Sequence, residues 1–457
     1  MTLAAVRRPT VAGAAGVRTP LGRGVRAAVD RCVGGVLLAL GAPLLALLGL
    51  VLRAVWRTGP RRIVYLGTGQ IAQVFPRNGV NLFLERECSD FGGYFEQLWN
   101  VHFPAGARGY LDLTPRHHLI DVDVDVPASA GRLTATVLRE LGFLVWLLPF
   151  LWRTRASVVT ATNPYLQGLN AAIASRLLGL PFAVIITRDY DWDWAVLRKQ
   201  AFGSVFPSRR IERAVGRWVL RRADLVLADR RYYCTFAVRN GANAQRAVAT
   251  RVLADQAYAE ARPDATVRSR YGLGPGRLLV YVGRLDADKF AVDLVDCLAL
   301  VRQRQPDVQL ACAGTGALEA SLLARATACG VADGLHLLGA LDLAVLPTLV
   351  ASAQAVVAPH MGYTLIEAGL TGVPIVTYDY DFAPEIIEHG QSGWLVPFRD
   401  VRALADGVCT LLDDPVRARQ LGACLRERLL REHSLEAVVP MYHAAYDLVL
   451  GPPERQP

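Results

Sequence analysis

The chain has 457 residues, 52% of them apolar and 20% charged, with a mean hydropathy of +0.26. That excludes a disordered polyelectrolyte or a small disulfide scaffold and leaves room for two or more domains. The formal charge of +9 belongs wholly to residues 1–62, where ten arginines (7, 8, 18, 23, 26, 31, 53, 57, 61 and 62) stand against one acid, Asp30, so the rest of the chain is neutral. A neutral body lacks the basic surface that nucleic acid requires, whereas a basic leader suits an anionic membrane surface. The eight cysteines show no C-x-x-C pair and no metal-type spacing with histidine, which reads as reduced thiols without a metal site. Only two lysines, Lys199 and Lys289, occur among the 50 basic residues.

Within the leader, residues 32–52 (CVGGVLLALGAPLLALLGLVL) carry no charge. As a helix they cover a hydrocarbon core of about 30 Å. Arginines flank both ends, so the charge rule does not orient the segment. A spanning helix and a re-entrant hairpin kinked at Pro43 both remain open. A second apolar stretch, 138–152, is short for a span and has charges inside and after it. It reads as a domain helix, either buried or with Trp146 and Trp152 at headgroup depth.

From residue 62 onward, short β-branched runs alternate with amphipathic stretches. The predicted strands are 62–66, 157–161, 182–187 and 225–228, then 278–282, 308–313, 335–338, 355–358 and 375–377. Such alternation predicts two parallel, doubly wound domains, with ligands bound beyond the carboxyl ends of the strands. A polar, proline-containing stretch at 256–276 separates the two series. The expected division is a leader over 1–62, a first doubly wound domain over 63–258, a second over 259–430 and a C-terminal helix and tail over 431–457.

Four segments of the second half could carry chemistry. YVGRLDADK places Gly283, Arg284 and Lys289 in the loop after a strand, two cations suited to a diphosphate. ACAGTG ends a strand in Gly314-Thr315-Gly316, a turn that lets backbone approach a ligand. VVAPHMGYTLIEAGLTGVPIVTY leads from a strand through His360, Met361, Gly362 and Tyr363 into a helix bearing Glu367, a carboxylate able to accept from a ribose diol. PEIIEHGQSGWLVPFRD reads mostly as scaffold. Each alone also reads as an ordinary loop or cap; their order and spacing carry the argument.

Together these segments resemble the nucleotide-binding domain of family-4 glycosyltransferases, which have the GT-B fold of two Rossmann-like domains facing a cleft. The match runs over residues 280–400. The resemblance implies that Arg284 and Lys289 neutralise the leaving diphosphate of a sugar nucleotide without a metal or other cofactor. It implies that Glu367 holds the ribose hydroxyls and that Gly362 and Tyr363 contact phosphate or sugar. Met361, His360, Gly314, Gly316 and, across the cleft in the loop after the first strand, Gly69 complete the donor-side candidates. The family has two glutamates in its third segment; here the first is missing, with Pro359 and His360 in its place. Where the family often has a histidine, this chain has RDYDWDW, and Arg188, Asp189 and Asp191 become acceptor-side candidates.

The resulting expectation is a membrane-associated enzyme with its domains on the cytoplasmic face. It would move a sugar from a nucleotide sugar to a lipid-linked or membrane acceptor, with retention, in glycolipid or envelope polysaccharide synthesis. A catalytically silent nucleotide-sugar-binding scaffold and a sugar-nucleotide epimerase are the alternatives. Nucleic acid is not an expected partner.

Overall fold

The computed structural model describes residues 20–55, 59–71, 91–253 and 255–452. Arg7, Arg8, Arg18, Arg57, Cys88 and the end of the tail lie outside them.

The first sheet has eight strands: β1 (Arg62–Gly67), β2 (Gln97–His102), β3 (Gly109–Thr114), β4 (His117–Asp121), β5 (Val158–Ala161), β6 (Phe182–Ile186), β7 (Leu225–Ala228) and β8 (Ala247–Ala249). Their order is β3-β4-β2-β1-β5-β6-β7-β8, parallel except for the β3–β4 pair. The second sheet comprises β9 (Leu278–Val282), β10 (Gln309–Ala313), β11 (Leu335–Gly339), β12 (Ala355–Ala358), β13 (Ile375–Tyr378) and β14 (Trp394–Val396). It is ordered β11-β10-β9-β12-β13-β14 and all its pairs are parallel. Strands such as LLVYV and AVVA are buried at every position, as strands covered by helices on both faces must be. In each sheet the chain reverses its direction of travel beside the first strand. The switch points therefore lie at β1–β5 and β9–β12, where ligands of such sheets bind.

The apolar leader forms one helix, Pro20–Ala54, unbroken at Pro43. The hairpin is therefore corrected to a continuous helix, which is braced along its length. Asp30 accepts hydrogen bonds from the Leu133 and Thr134 amides, both at 2.8 Å, at the start of the Arg132–Thr154 helix. A Cβ on Gly41 would stand 2.8 Å from Leu141, and one on Gly49 2.6 Å from Leu177 of the Leu166–Leu178 helix. Val36, Leu40, Leu44, Leu47 and Leu50 remain exposed on the side away from the body. At the other end of the chain, the Leu435–Leu450 helix returns to the first sheet. There the Tyr446 hydroxyl lies 3.2 Å from both the Tyr65 hydroxyl and Thr160 Oγ1, and Asp447 pairs with Arg61 at 3.1 Å.

Candidate active site

A cleft of about 240 Å³ lies between the switch point of the second sheet and the carboxyl ends of β6 and β7 in the first. On the second-domain side, Lys289 comes from the loop after β9, and His360, Gly362 and Tyr363 come from the loop after β12. His360 joins the two loops: its Nδ1 lies 2.8 Å from the Asp288 carbonyl, so in the neutral ring that nitrogen carries the proton. Its Nε2 then accepts from the Tyr380 hydroxyl at 3.3 Å. Burial pulls the Lys289 ammonium below its ordinary pKa; Asp288 opposes this, while Arg284 and Arg188 reinforce it.

Arg284 does not line the cleft among the described residues. It is exposed and engages Asp286 and, at 2.6 Å, Asp288. Gly314 and Gly316 lie outside the cleft wall. A side chain at Gly314 would collide with the Gly283 carbonyl, and one at Gly316 with the Leu285 carbonyl, so both glycines let the loops after β9 and β10 pack together. Met361 is buried, and Glu367 is buried in the first turn of the Thr364–Leu370 helix. Gly69 has a φ of +131° and stands beyond β1, next to Gly67 and Thr68, which line a second cavity.

The first-domain wall is built at the ends of β6 and β7. Of the three acceptor-side candidates, Arg188 and Asp189 line the cleft. Asp189 is also the N-cap of the Tyr190–Leu197 helix, accepting from the Asp191 and Trp192 amides at 2.9 and 3.0 Å, and it pairs with Arg239 at 2.7 Å. Asp191 points away from the cleft, bound to Arg209 at 2.8 Å and to Asn240 at 2.9 Å. Asp193, two residues on, faces the cleft instead and lies 3.3 Å from Arg188. Burial pushes the Asp193 carboxyl up and Arg188 counters it.

Sequence reasoning missed Asp229 and Arg230, which follow β7 directly. Their position just past a buried strand was the available signal. The Asp229 carboxylate accepts from the Tyr363 hydroxyl across the cleft, and burial raises the pKa of both groups. Arg230 is 1% exposed and stacks 4.8 Å over the Phe382 ring, with its Nε and Nη2 unpartnered among the described residues. Aromatic contacts also bridge the domains, Trp192 lying 4.7 Å from Tyr380. The Glu385 carboxylate accepts from the Arg231 and Tyr232 amides at 3.0 and 2.6 Å, where the Arg231–Arg239 helix begins.

This geometry sets cations from both domains around a cleft at the carboxyl ends of the strands, an arrangement able to bind and stabilise a diphosphate. Residues 267–428 match the family model described as glycosyl transferases group 1. The chain thus carries a group 1 glycosyltransferase domain and is a glycosyltransferase with the GT-B fold.

Among curated proteins it is similar to alpha-D-kanosaminyltransferase of Streptomyces kanamyceticus, 27% identical over 67% of this chain and 78% of that protein. It is also similar to the GDP-mannose-dependent alpha-(1-6)-phosphatidylinositol monomannoside mannosyltransferase of Mycobacterium tuberculosis, 33% identical over 36% of this chain; that match spans 47% of the relative's length. Among solved structures it resembles HepE of Anabaena in complex with UDP (TM-score 0.65, 17% identity, 84% of this chain and 99% of that one). The sucrose-phosphate synthase of Thermosynechococcus elongatus gives a TM-score of 0.67 at 18% identity, over 84% of this chain and 98% of that one.

Proposed function

We propose that this glycosyltransferase takes a hexosyl group from a nucleotide diphosphate sugar and transfers it, with retention, to a lipid-linked acceptor at the cytoplasmic face of a membrane. The observation that carries the donor side is the placement of Lys289 and Arg188 on opposite walls of one cleft, near enough that Arg188 depresses the Lys289 ammonium. Arg188 pairs with Asp193 and Lys289 stands beside Asp288, and an incoming anion exchanges with these carboxylates. The diphosphate is that anion, and Arg284 joins it by exchanging its aspartate partners. Glu367 holds the ribose hydroxyls, and Gly362 and Tyr363 contact the phosphate or sugar. Pro359 and His360 stand where the family's first glutamate is missing, so His360 takes over the sugar contact. No metal is required in this scheme, because the departing charge is met by side chains.

The acceptor side draws on the leader. Its helix lies lengthwise on the body with a row of leucines outward and Arg31 and Arg53 exposed at the two ends of its uncharged stretch. An uncharged 21-residue stretch with an outward apolar surface and arginines at its ends is the pattern of a segment embedded in an anionic bilayer. The named substrate of the mannosyltransferase relative, a phosphatidylinositol monomannoside, supports a lipid acceptor for this chain. Envelope glycolipid or polysaccharide synthesis is the corresponding process.

The test is a thermal-shift screen across UDP-, GDP- and ADP-sugars, followed by transfer from the stabilising donor to membrane extracts. Selective stabilisation by one donor, with transfer abolished in Lys289→Ala and Glu367→Ala, is the expected result. Undiminished transfer in both variants rejects the site, and donor binding without turnover supports a silent scaffold.

A further inference from the structure

A second cavity, of about 620 Å³, opens in the first domain beyond the carboxyl ends of β1, β2 and β5. It meets the donor cleft along Arg188, Asp193, Asp229 and Tyr363. Its wall includes His102, the last residue of β2, which is 6% exposed. His102 Nδ1 lies 2.8 Å from Asp121 Oδ1, at the end of the neighbouring β4. Asp121 is held in turn by the Ile71 amide at 2.9 Å. A carboxylate only accepts, so in the neutral ring the proton sits on Nδ1 and the lone pair on Nε2.

The Cδ2 edge of the ring, adjacent to Nε2, is turned toward Gly67, where a Cβ would lie 3.6 Å from it, and Gly67 lines the cavity. Among the described residues Nε2 has no hydrogen-bond partner. A histidine so deeply buried, with one nitrogen fixed as a donor to a carboxylate and the other open to a cavity, is an acceptor awaiting an O–H or N–H group. The remaining wall mixes polar Asn100, Thr162 and Lys199 with apolar Phe91, Ile185 and Val438. That lining suits a ring with hydroxyls at its edge and carbon on its faces.

We propose that this cavity is a polyol subsite and that His102 Nε2 recognises one hydroxyl of a sugar or cyclitol ring seated in it. The proposal rests on the glycosyltransferase reading, in which that ring belongs to the acceptor. Asp121 acts through His102 and is a positioning residue.

The experiment titrates the full chain, loaded with UDP, against myo-inositol and methyl α-D-mannopyranoside by saturation-transfer NMR. A parallel arm uses phosphatidylinositol in phosphatidylcholine vesicles. His102→Asn keeps an amide for Asp121 and removes the cavity lone pair; His102→Gln places an oxygen near the Nε2 position. The expected result is wild-type melting and UDP affinity in His102→Asn with polyol affinity lowered about ten-fold, the scale of one hydrogen bond, and recovery in His102→Gln. Binding in the free-polyol arm identifies the ring itself as the ligand; binding confined to the vesicle arm identifies the lipid headgroup, again lowered in His102→Asn. Equal affinity of wild type and His102→Asn, or no saturable binding in either arm, overturns the subsite. Failure of the wild type to bind UDP, GDP or ADP while polyol binding still depends on His102 overturns the nucleotide-sugar reading and leaves the subsite standing.

Discussion

Lys289 holds a charge where its surroundings disfavour one, since burial and the Arg284 and Arg188 guanidinium groups all depress its ammonium. A residue in that position costs the folded state and benefits a bound anion. Lys289→Ala is therefore expected to leave the melting temperature unchanged or slightly higher while kcat/KM for the sugar nucleotide falls about 100-fold or more. Calorimetry and steady-state kinetics on one preparation check both halves. The neighbouring run RDYDWDW shows why one wall of the cleft was hard to read. Asp191 and Asp193 are two positions apart on the Tyr190–Leu197 helix, so they lie on opposite faces. The residue nearer the strand is spent on Arg209 and the farther one reaches the cleft. Composition alone does not tell them apart; only the helix start, capped by Asp189, does.

Elements that are buried on both faces announced themselves, and those with a wet face did not. The strands β9, β12 and β13 are buried at every position and stand close to where the sequence put them. The region of β2, β3 and β4 reads QLWNVH, GYLDLT and HHLID, with polar residues at buried positions such as His117 and Asp121, and it was missed. That omission hid the His102–Asp121 pair. The same scale explains Asp30, the one acid of the basic leader, which proves to cap another helix. Asp30→Ala is expected to lower the melting temperature by about 2 °C through loss of that cap. Gly49→Leu, which drives a side chain into Leu177, is expected to loosen the leader helix and expose it to limited proteolysis. Vesicle flotation should be retained in both variants, because neither removes the outward leucines.

The whole molecule is closed by its last segment, which runs from the second domain back to the first. His433 sits at that crossing, fully buried, with Nδ1 2.7 Å from the Val252 carbonyl in the linker between the sheets. Burial lowers its pKa to about 4 from an ordinary 6.5, and Arg230 and Arg251 contribute to the lowering. Between those values the unfolded chain binds the proton and the folded one does not. Stability is thus greatest above pH 6.5 and falls on acidification toward pH 4, by about 3 kcal/mol for this group. Urea denaturation at pH 7 and pH 4.5 measures the loss. His433→Asn, which keeps the donor to Val252, is expected to flatten it by roughly that amount.

The leader helix, fastened to the body at Asp30, Gly41 and Gly49, is a rigid mount rather than a tether. On a bilayer, such a mount fixes the height and tilt of the cleft above the lipid. An acceptor then has to present its reacting hydroxyl at that height. For the lipid-linked acceptor we propose, headgroup length would be a gauge of substrate choice, set by the outside of the protein before any atom of the cleft is touched.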